Sequence, residues 1–336
     1  MVIYTPPRAA RYVPVIDLSP ARSGMAGRLS VAQEIHRACR DPGFFYVSHH
    51  GIAPERLALQ LEWAQRLFAL PEAEKRALTM SAASNFAGYE PIAGQTLDTD
   101  SPPDHKESFY VNVELPDDHP YVRAGIRSYG GNRWPASLPG FREDMLAYRA
   151  AITALGAELM ALIALSLELP EDYFAPMFAL ASGTLRLIHY PPQPADAAVN
   201  QIGAGAHTDW GGITLLLQDD TGGLEVRNRD GDWLIAPPVK DAFVVNIGDL
   251  LQRWTNDLYR SNMHRVLNGA GARRDRYSVP FFYSPDYASK IECLPTCTST
   301  GLPPLHPPCT AGEHMMEMFN LTYGRRTAPG PAERRV

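Results

Sequence analysis

The segment His207-Thr208-Asp209 contains two side chains that bind metal ions, spaced two residues apart. If the segment is extended, residues two apart face the same side, so the imidazole and the carboxylate project together. A further histidine, His264, follows later in the chain. Two histidines and one carboxylate are the ligand set of the facial triad used by non-haem iron(II) oxygenases. The sequence therefore predicts a metal site with His207, Asp209 and His264 as ligands at the catalytic centre.

Such a triad leaves room for a chelating co-substrate. Three ligands on one face of an octahedral ion leave three adjacent positions open, two for a 2-oxo acid and one for dioxygen. Arg276 and Ser278 share one face of a predicted strand further along the chain. A guanidinium can grip a distal carboxylate with two parallel hydrogen bonds, and a hydroxyl can add another donor. These two residues therefore predict the binding of a dicarboxylic 2-oxo acid.

Together these residues resemble the signature of the iron(II)/2-oxoglutarate-dependent dioxygenases, in particular of the isopenicillin N synthase-like subgroup. The resemblance is carried by His207-Thr208-Asp209, His264 and Arg276-x-Ser278. It extends over residues 12–324, nearly the whole chain. Further similarity lies in the segments Val13-Pro14-Val15-Ile16-Asp17-Leu18, Gly43-Phe44-Phe45-Tyr46-Val47, His50-Gly51 and Val245-Asn246-Ile247-Gly248-Asp249.

The resemblance implies a mainly β fold with helical additions, in which a distorted double-stranded β-helix (jelly-roll) core carries the triad at its mouth. It implies iron(II) as the metal, with 2-oxoglutarate and dioxygen as co-substrates. It also implies that Tyr190 helps to hold 2-oxoglutarate, although many relatives have a polar residue where Ile188 stands. The expected reaction releases succinate and carbon dioxide while a small organic molecule is hydroxylated, desaturated or cyclised.

Three other functions are compatible with parts of this pattern. An isopenicillin N synthase-like oxidase would take all four electrons from its substrate without 2-oxoglutarate, and such relatives can also carry the arginine and serine. A zinc hydrolase could use the same three ligands, but no candidate general base stands out. A catalytically inactive β-barrel binding protein would be expected to have replaced a ligand, and all three are present.

Hydrophobic patterning predicts the elements that carry these residues. The first third of the chain favours strands at 13–18 and 44–47, and helices at 30–40, from a Ser30/Gln33 capping box, at 54–70 and from Pro71. Residues 138–178 are helical in pattern. Short strands are expected at 184–190, 213–218, 224–227, 233–236, 243–247 and 277–283, with a hairpin signal at Asp230-Gly231.

This order of elements predicts a β core from the second half of the chain, braced by N-terminal and central helices. The predicted organisation is an N-terminal helix and strand region at 1–120, helical support at 121–180, the iron and 2-oxoglutarate β core at 181–325, and a disordered tail at 326–336.

Composition and charge indicate which partners and which cellular location to expect. The 336 residues include 31 basic and 37 acidic side chains, giving a net charge of -6 and a pI of about 5.9. This balance does not favour a nucleic-acid partner. Residues 1–12 lack the apolar core of a signal peptide, and the apolar run at 150–169 contains Glu158, which favours a buried helix over a membrane span. We therefore expect a cytoplasmic enzyme without a membrane partner, of undetermined oligomeric state.

The four cysteines are Cys39, Cys293, Cys297 and Cys309. The last three lie close together in sequence but form no tight Cys-x-x-Cys pair. Reduced thiols are therefore expected, and the role of the cluster stays open.

The sequence predicts the substrate less specifically than the metal site. Aromatic side chains near the mouth would favour a compact, partly apolar small molecule. Arg186 would suit a substrate carboxylate if it faced the cavity, whereas Lys106 and Glu107 could be solvated. The candidate substrate-contacting residues are Phe109, Tyr110, Arg186, Thr214 and Phe282.

Overall fold

The computed structural model describes residues 10–81, 84–98, 102–193, 201–267 and 274–323. The strands are β1 (Val15–Asp17), β2 (Phe44–Ser48), β3 (Gly88–Glu90), β4 (Glu107–Val111), β5 (Thr184–Tyr190), β6 (Ala204–His207), β7 (Ile213–Gln218), β8 (Leu224–Arg227), β9 (Trp233–Ile235), β10 (Phe243–Ile247), β11 (His264–Val266), β12 (Arg276–Tyr283), β13 (Lys290–Ile291) and β14 (Cys309–Thr310). The helices are α1 (Met25–Arg40), α2 (Pro54–Phe68), α3 (Glu72–Ala77), α4 (Pro120–Arg123), α5 (Phe141–Ser166), α6 (Asp249–Trp254) and α7 (Ala311–Tyr323). Short 3-10 turns lie at Ser19–Arg22, Ala175–Phe178 and Pro295–Cys297.

Two sheets enclose the chamber in which the predicted site lies. The larger has the strand order β1-β2-β10-β7-β12-β5-β4-β3, and the smaller has the order β6-β11-β8-β9. Apolar side chains of both sheets, such as Phe44 and Ile188 from the larger and Val226 and Val266 from the smaller, pack into one cluster. The predicted β core braced by helices is confirmed, and the facing sheets are those of a double-stranded β-helix.

The outer face of the larger sheet is covered by helices. Residues of α1, α2 and α5 join side chains of β5, β7 and β12 in the main hydrophobic core. Gly156 of α5 lies so close to the sheet that a Cβ atom there would be 2.8 Å from the Tyr283 ring. By length and composition alone α5 would be able to cross a membrane, as would many buried core helices. Its packing against β12 makes it a core helix in this fold.

Two predicted helix boundaries are wrong. The first helix begins at Met25 and not at Ser30, and Gly24 precedes it with a φ of 94°. Gly27 permits this longer helix, because a Cβ there would be 1.9 Å from the Pro20 carbonyl oxygen. The helical pattern at 138–178 is also interrupted, since α5 ends at Ser166 before Pro170, which cannot continue a helix.

The strands predicted in the second half are confirmed to within one or two residues, and Gly231 turns the β8–β9 hairpin with a φ of 91°. Strands from both sides of residue 180 share the larger sheet. The division at 120 and 180 stays a prediction, and the tail at 326–336 lies outside the described residues. All four cysteines are free thiols.

Candidate metal and co-substrate site

The smaller sheet brings the two predicted histidine ligands together. His207, the last residue of β6, is paired directly with His264, the first residue of β11. Their ring centroids are 4.2 Å apart. Asp209 follows two residues after His207, and its Oδ1 atom lies 4.0 Å from His207 Nε2 and 3.8 Å from His264 Nε2. All three donor atoms lie within 4.8 Å of one another, as ligands of one ion would.

Backbone carbonyls orient both imidazoles. His207 Nδ1 donates to the Gly205 carbonyl at 2.7 Å, and His264 Nδ1 is 3.4 Å from the Asn262 carbonyl. A ring whose Nδ1 holds the proton keeps a lone pair on Nε2, and this is the usual arrangement of a metal-binding histidine. Both Nε2 atoms therefore face the Asp209 carboxylate in the form that binds a metal.

The Asp209 carboxylate is held from behind by two neutral side chains. Its Oδ2 atom accepts hydrogen bonds from Thr214 Oγ1 at 2.6 Å and from Asn246 Nδ2 at 2.7 Å. Oδ1 is thereby left to face the imidazoles. Thr214 was predicted to contact the substrate, but its hydroxyl is engaged with Asp209. Asn246 belongs to a segment that supported the family resemblance, although its role was not predicted.

The electrostatics of the cluster favour the metal-binding protonation states. Burial, together with the neighbouring His264, lowers the pKa of His207 to about 3. Burial alone would raise the pKa of Asp209, but the adjacent histidines and the hydrogen bonds from Thr214 and Asn246 outweigh it and lower that pKa. His207 is thus neutral and Asp209 ionised at neutral pH, and together with His264 they form a donor set of two imidazoles and one carboxylate. This donor set suits a divalent first-row ion such as iron(II).

Arg276 and Ser278 lie in the same chamber as the triad, which has about 560 Å³ of empty space. Arg276 is only 3% exposed. Its guanidinium donates to the Gly222 carbonyl at 2.6 Å and to Gln218 Oε1 at 3.1 Å, and its Nη1 is 3.3 Å from Ser278 Oγ. These partners are neutral, and no carboxylate within the described ranges lies at ion-pair distance from it. A buried cation with such surroundings is suited to an anionic ligand.

Tyr190, which the resemblance assigns to co-substrate binding, lies beside this cation. The sheet register pairs Tyr190 with Arg276 and Ile188 with Ser278. The Arg276 guanidinium is centred 4.8 Å from the Tyr190 ring, and both Tyr190 and Ile188 line the chamber. The apolar Ile188 therefore forms part of the chamber wall next to the predicted 2-oxoglutarate site.

A second, larger cavity of about 1180 Å³ opens on the other side of the triad. The residues that it shares with the inner chamber are Leu97, Arg186, His207, Asp209 and Phe282. We refer to the two spaces as the inner chamber and the outer cavity. A molecule in the outer cavity would meet the same metal centre as a ligand in the inner chamber, which is the geometry that a co-substrate and a substrate require.

The predicted substrate residues other than Thr214, which lines the inner chamber, divide between this cavity and the core. Tyr110, Arg186 and Phe282 line the outer cavity. Phe109 does not, because alternate residues of β4 face opposite sides and its ring packs in the core against Phe141. Arg186 is buried, and its Nη2 atom is 3.0 Å from a carboxylate oxygen of Glu90. Its positive charge is therefore already paired, and not with a surface acid.

Sequence reasoning missed the helix that covers part of the outer cavity. Met315, Met316 and Phe319 of α7 line it. The available signal was a capping box at Thr310 and Glu313, in which each residue bonds the backbone N–H of the other, at 3.1 and 2.7 Å. The Arg127 guanidinium joins this helix to the N-terminal region, because it lies 3.4 Å from the Phe86 ring centroid and 3.5 Å from that of Phe319.

Comparison with known proteins agrees with this site. A family model described as the 2OG-Fe(II) oxygenase superfamily matches residues 181–285, and a non-haem dioxygenase N-terminal model matches residues 13–137. A "2-oxoglutarate-Fe(II) type oxidoreductase hxnY" from Emericella nidulans is 40% identical over 94% of this chain and 91% of its own length. A "2-oxoglutarate-dependent dioxygenase citB" from Monascus ruber is 36% identical over 94% of this chain and 97% of its own.

Solved structures show the same fold. A full-length Neurospora crassa protein crystallised with alpha-KG superposes with a TM-score of 0.81 at 28% identity, over 92% of this chain and 96% of that one. A 2OG-Fe(II) oxygenase family protein from Caulobacter crescentus has a TM-score of 0.81 at 31% identity, over 93% and 99%.

Fold, site and relatives thus define a non-haem oxygenase. The chain belongs to the iron(II)/2-oxoglutarate-dependent dioxygenases, and it uses iron(II), 2-oxoglutarate and dioxygen to oxidise a small molecule.

Proposed function

We propose that His207, Asp209 and His264 bind the iron and that Arg276, with Ser278 and Tyr190, binds the distal carboxylate of 2-oxoglutarate. The observation that carries this assignment is that one chamber holds both a two-histidine, one-carboxylate donor set and an arginine whose partners, among the residues that the structure describes, are all neutral. Charge supports it, because one carboxylate offsets half of a divalent charge and the carboxylate beside the 2-oxo group of 2-oxoglutarate would offset the other half.

When bound, iron(II) and 2-oxoglutarate supply the oxidising power, because dioxygen converts the 2-oxo acid to succinate and carbon dioxide while a substrate C–H bond is oxidised. The chain's own residues position the reactants. Arg276 fixes one end of the co-substrate, while Thr214 and Asn246 keep Asp209 directed at the metal position. Apolar residues of both sheets, among them Phe44 and Val266, line the chamber and exclude water.

The organic substrate occupies the outer cavity in this proposal, between Tyr110, Arg186 and Phe282. Crystal structures of the Neurospora crassa relative hold thymine or 5-formyluracil together with alpha-KG. The outer cavity of this chain combines the aromatic rings of Phe86, Phe282 and Phe319 with polar side chains. These surfaces favour a small molecule with a planar ring and a polar edge over a polymer.

The direct test measures succinate. Purified protein is supplied with ferrous iron, 2-oxoglutarate and oxygen, and challenged with nucleobases, aromatic acids and amino acids. We expect substrate-dependent succinate that disappears when 2-oxoglutarate is omitted or His264 is changed to alanine. Product formation that continues without 2-oxoglutarate would instead indicate an oxidase. The proposal would be overturned if the wild-type protein released no more succinate than the His264→Ala variant with every compound of the panel.

A further inference from the structure

A buried ion pair lies directly beside the triad and is not required by the assignment above. Asp104 and Lys106 are 2% and 4% exposed, and the Lys106 ammonium contacts the Asp104 carboxylate. Lys106 also lines the inner chamber together with His207 and Arg276. Removing two charges from water is unfavourable before their mutual attraction is counted, so a buried pair is by itself weak evidence of a stabilising role.

The other contact of Asp104 connects this pair to a proposed iron ligand. Its Oδ1 atom accepts a hydrogen bond from the backbone N–H of Gly205 at 3.0 Å. The carbonyl of the same glycine accepts the Nδ1 hydrogen bond of His207 at 2.7 Å. Gly205 is therefore held on one side by Asp104 and holds His207 on the other.

Gly205 lies where two backbone segments pass close to each other, so only a residue without a side chain fits there. A Cβ atom at Gly205 would be 2.7 Å from the backbone nitrogen of Asp98. Nearby, the backbone N–H of His105 donates to the Ile202 carbonyl at 3.1 Å, so the segment before β4 runs alongside the segment before β6. A glycine has wide backbone freedom, and an acceptor on its N–H limits that freedom at the point where His207 is oriented.

We infer that Asp104 is a positioning residue for His207, and that Lys106 keeps the Asp104 carboxylate paired in the buried setting where it holds Gly205. This inference rests on the proposed function, since it takes His207 to be an iron ligand. Asp104 touches neither metal nor co-substrate in this role. It acts through the Gly205 backbone, as carboxylates and carbonyls behind metal-binding histidines act elsewhere.

Two double variants separate this role from a general contribution to folding. Asp104→Asn/Lys106→Met removes both charges but retains a side-chain oxygen that can accept from Gly205. Asp104→Ala/Lys106→Met also removes both charges and leaves no acceptor. Neither variant buries an unpaired charge, which would be strongly destabilising. The difference between the two therefore isolates the hydrogen bond to Gly205.

The measurement is the affinity for Mn(II), determined anaerobically by titration calorimetry, with the visible absorption of the Co(II)-loaded protein as a report on ligand geometry. We expect the Asn/Met variant to stay close to the wild-type affinity. The Ala/Met variant should bind Mn(II) about 10- to 100-fold more weakly, the range found when partners behind metal ligands are removed. Its Co(II) absorption should also shift, whereas that of the Asn/Met variant should not.

Equal Mn(II) affinities and identical Co(II) spectra for the two variants would overturn the inference, whatever their thermal stabilities. If the Ala/Met protein does not fold, Asp104→Leu/Lys106→Met fills the volume without an acceptor and is read in the same way. A wild-type chain that binds no Mn(II) would count against the proposed function instead.

The control for stability loss alone is Asp144→Asn. This change weakens a hydrogen bond to Trp63 far from the site and should leave Mn(II) affinity unchanged.

Discussion

The inner chamber and the outer cavity share a wall but are built in different ways. The inner chamber is lined by strands, and its key residues lie in the short segments 207–209, 264–266 and 276–278. The outer cavity is about twice as large and draws on residues from Asn85 to Phe319, many of them in loops or in α7. One space is fixed by strand pairing and hydrogen bonds, whereas the other is assembled from distant pieces of the chain.

This difference indicates that the inner chamber determines the chemistry and that the outer cavity determines substrate specificity. Residues on paired strands are held in register, so a metal centre there keeps its geometry. Loops and terminal helices tolerate changes of sequence and length without disturbing the sheets. We therefore expect substitutions in the inner chamber to affect metal and co-substrate binding strongly, and substitutions of residues that line only the outer cavity to leave both nearly unchanged.

The largest effect should come from Arg276→Ala. Removing one partner of a buried charge pair costs roughly 2–4 kcal/mol, or about 30- to 900-fold in affinity. We expect 2-oxoglutarate affinity to fall by that factor while Mn(II) affinity stays nearly intact. Anaerobic calorimetry of the Mn(II)-loaded protein measures the first quantity, and titration of the metal alone measures the second.

The matched control is Arg149→Ala. Arg149 lies in α5, and its partly buried guanidinium donates to the Gly183 carbonyl. The substitution should lower stability without changing 2-oxoglutarate affinity. If Arg276→Ala lost the metal and kept its co-substrate affinity, the roles assigned to Arg276 and to the triad would be wrong.

A smaller effect is expected from Asn246→Ala. The amide donates to the oxygen of Asp209 that faces away from the metal position, so its loss frees the carboxylate to rotate. Partners of this kind contribute about 10- to 100-fold to metal affinity. Titration with Mn(II) should show that loss, while Asn228→Ala, a change at a buried asparagine in the β8–β9 hairpin, should not. Equal affinities in the two variants would mean that Thr214 alone orients Asp209.

The contrast between the two spaces also explains what the sequence could predict. Arg276 and Ser278 are two residues apart in β12, so their shared direction follows from strand geometry. His207 and Asp209 have the same spacing, although β6 ends at His207 and Asp209 lies just beyond it. Their meeting with His264 is a long-range pairing of β6 with β11, and neither strand was predicted. The ligand types and the family resemblance compensated for that gap.

Predictions for the substrate residues depended on tertiary detail that no local pattern contains. Phe109 and Tyr110 are neighbours in one strand, and the sequence does not say which of the two faces the cavity. Thr214 lies at the predicted place, but its hydroxyl is engaged by a carboxylate five residues earlier in the chain. Lys106 and Glu107 are both buried, and each has a partner of opposite charge. Glu107 pairs with Lys75, which only the folded chain brings near, whereas Lys106 pairs with Asp104, two residues earlier in the chain.

The smallest effect should come from Phe319→Ala in α7. The Arg127 guanidinium contacts the Phe319 ring and also the Phe86 ring, and these contacts stabilise the position of α7 over the outer cavity. A cation–π contact near the surface contributes about 0.5–1 kcal/mol, which would increase local opening of α7 roughly two- to fivefold. Amide hydrogen exchange of α7 measures this directly and needs no knowledge of the substrate.

Leu321→Ala provides the comparison for Phe319→Ala, because Leu321 lies on the same helix but is 50% exposed. It should leave exchange in α7 almost unchanged, and neither variant should alter 2-oxoglutarate affinity. A loss of 2-oxoglutarate affinity in Phe319→Ala would show that the two spaces are mechanically coupled through their shared wall. In that case α7 would influence the co-substrate as well as the substrate, and the independence of the two regions would have to be abandoned.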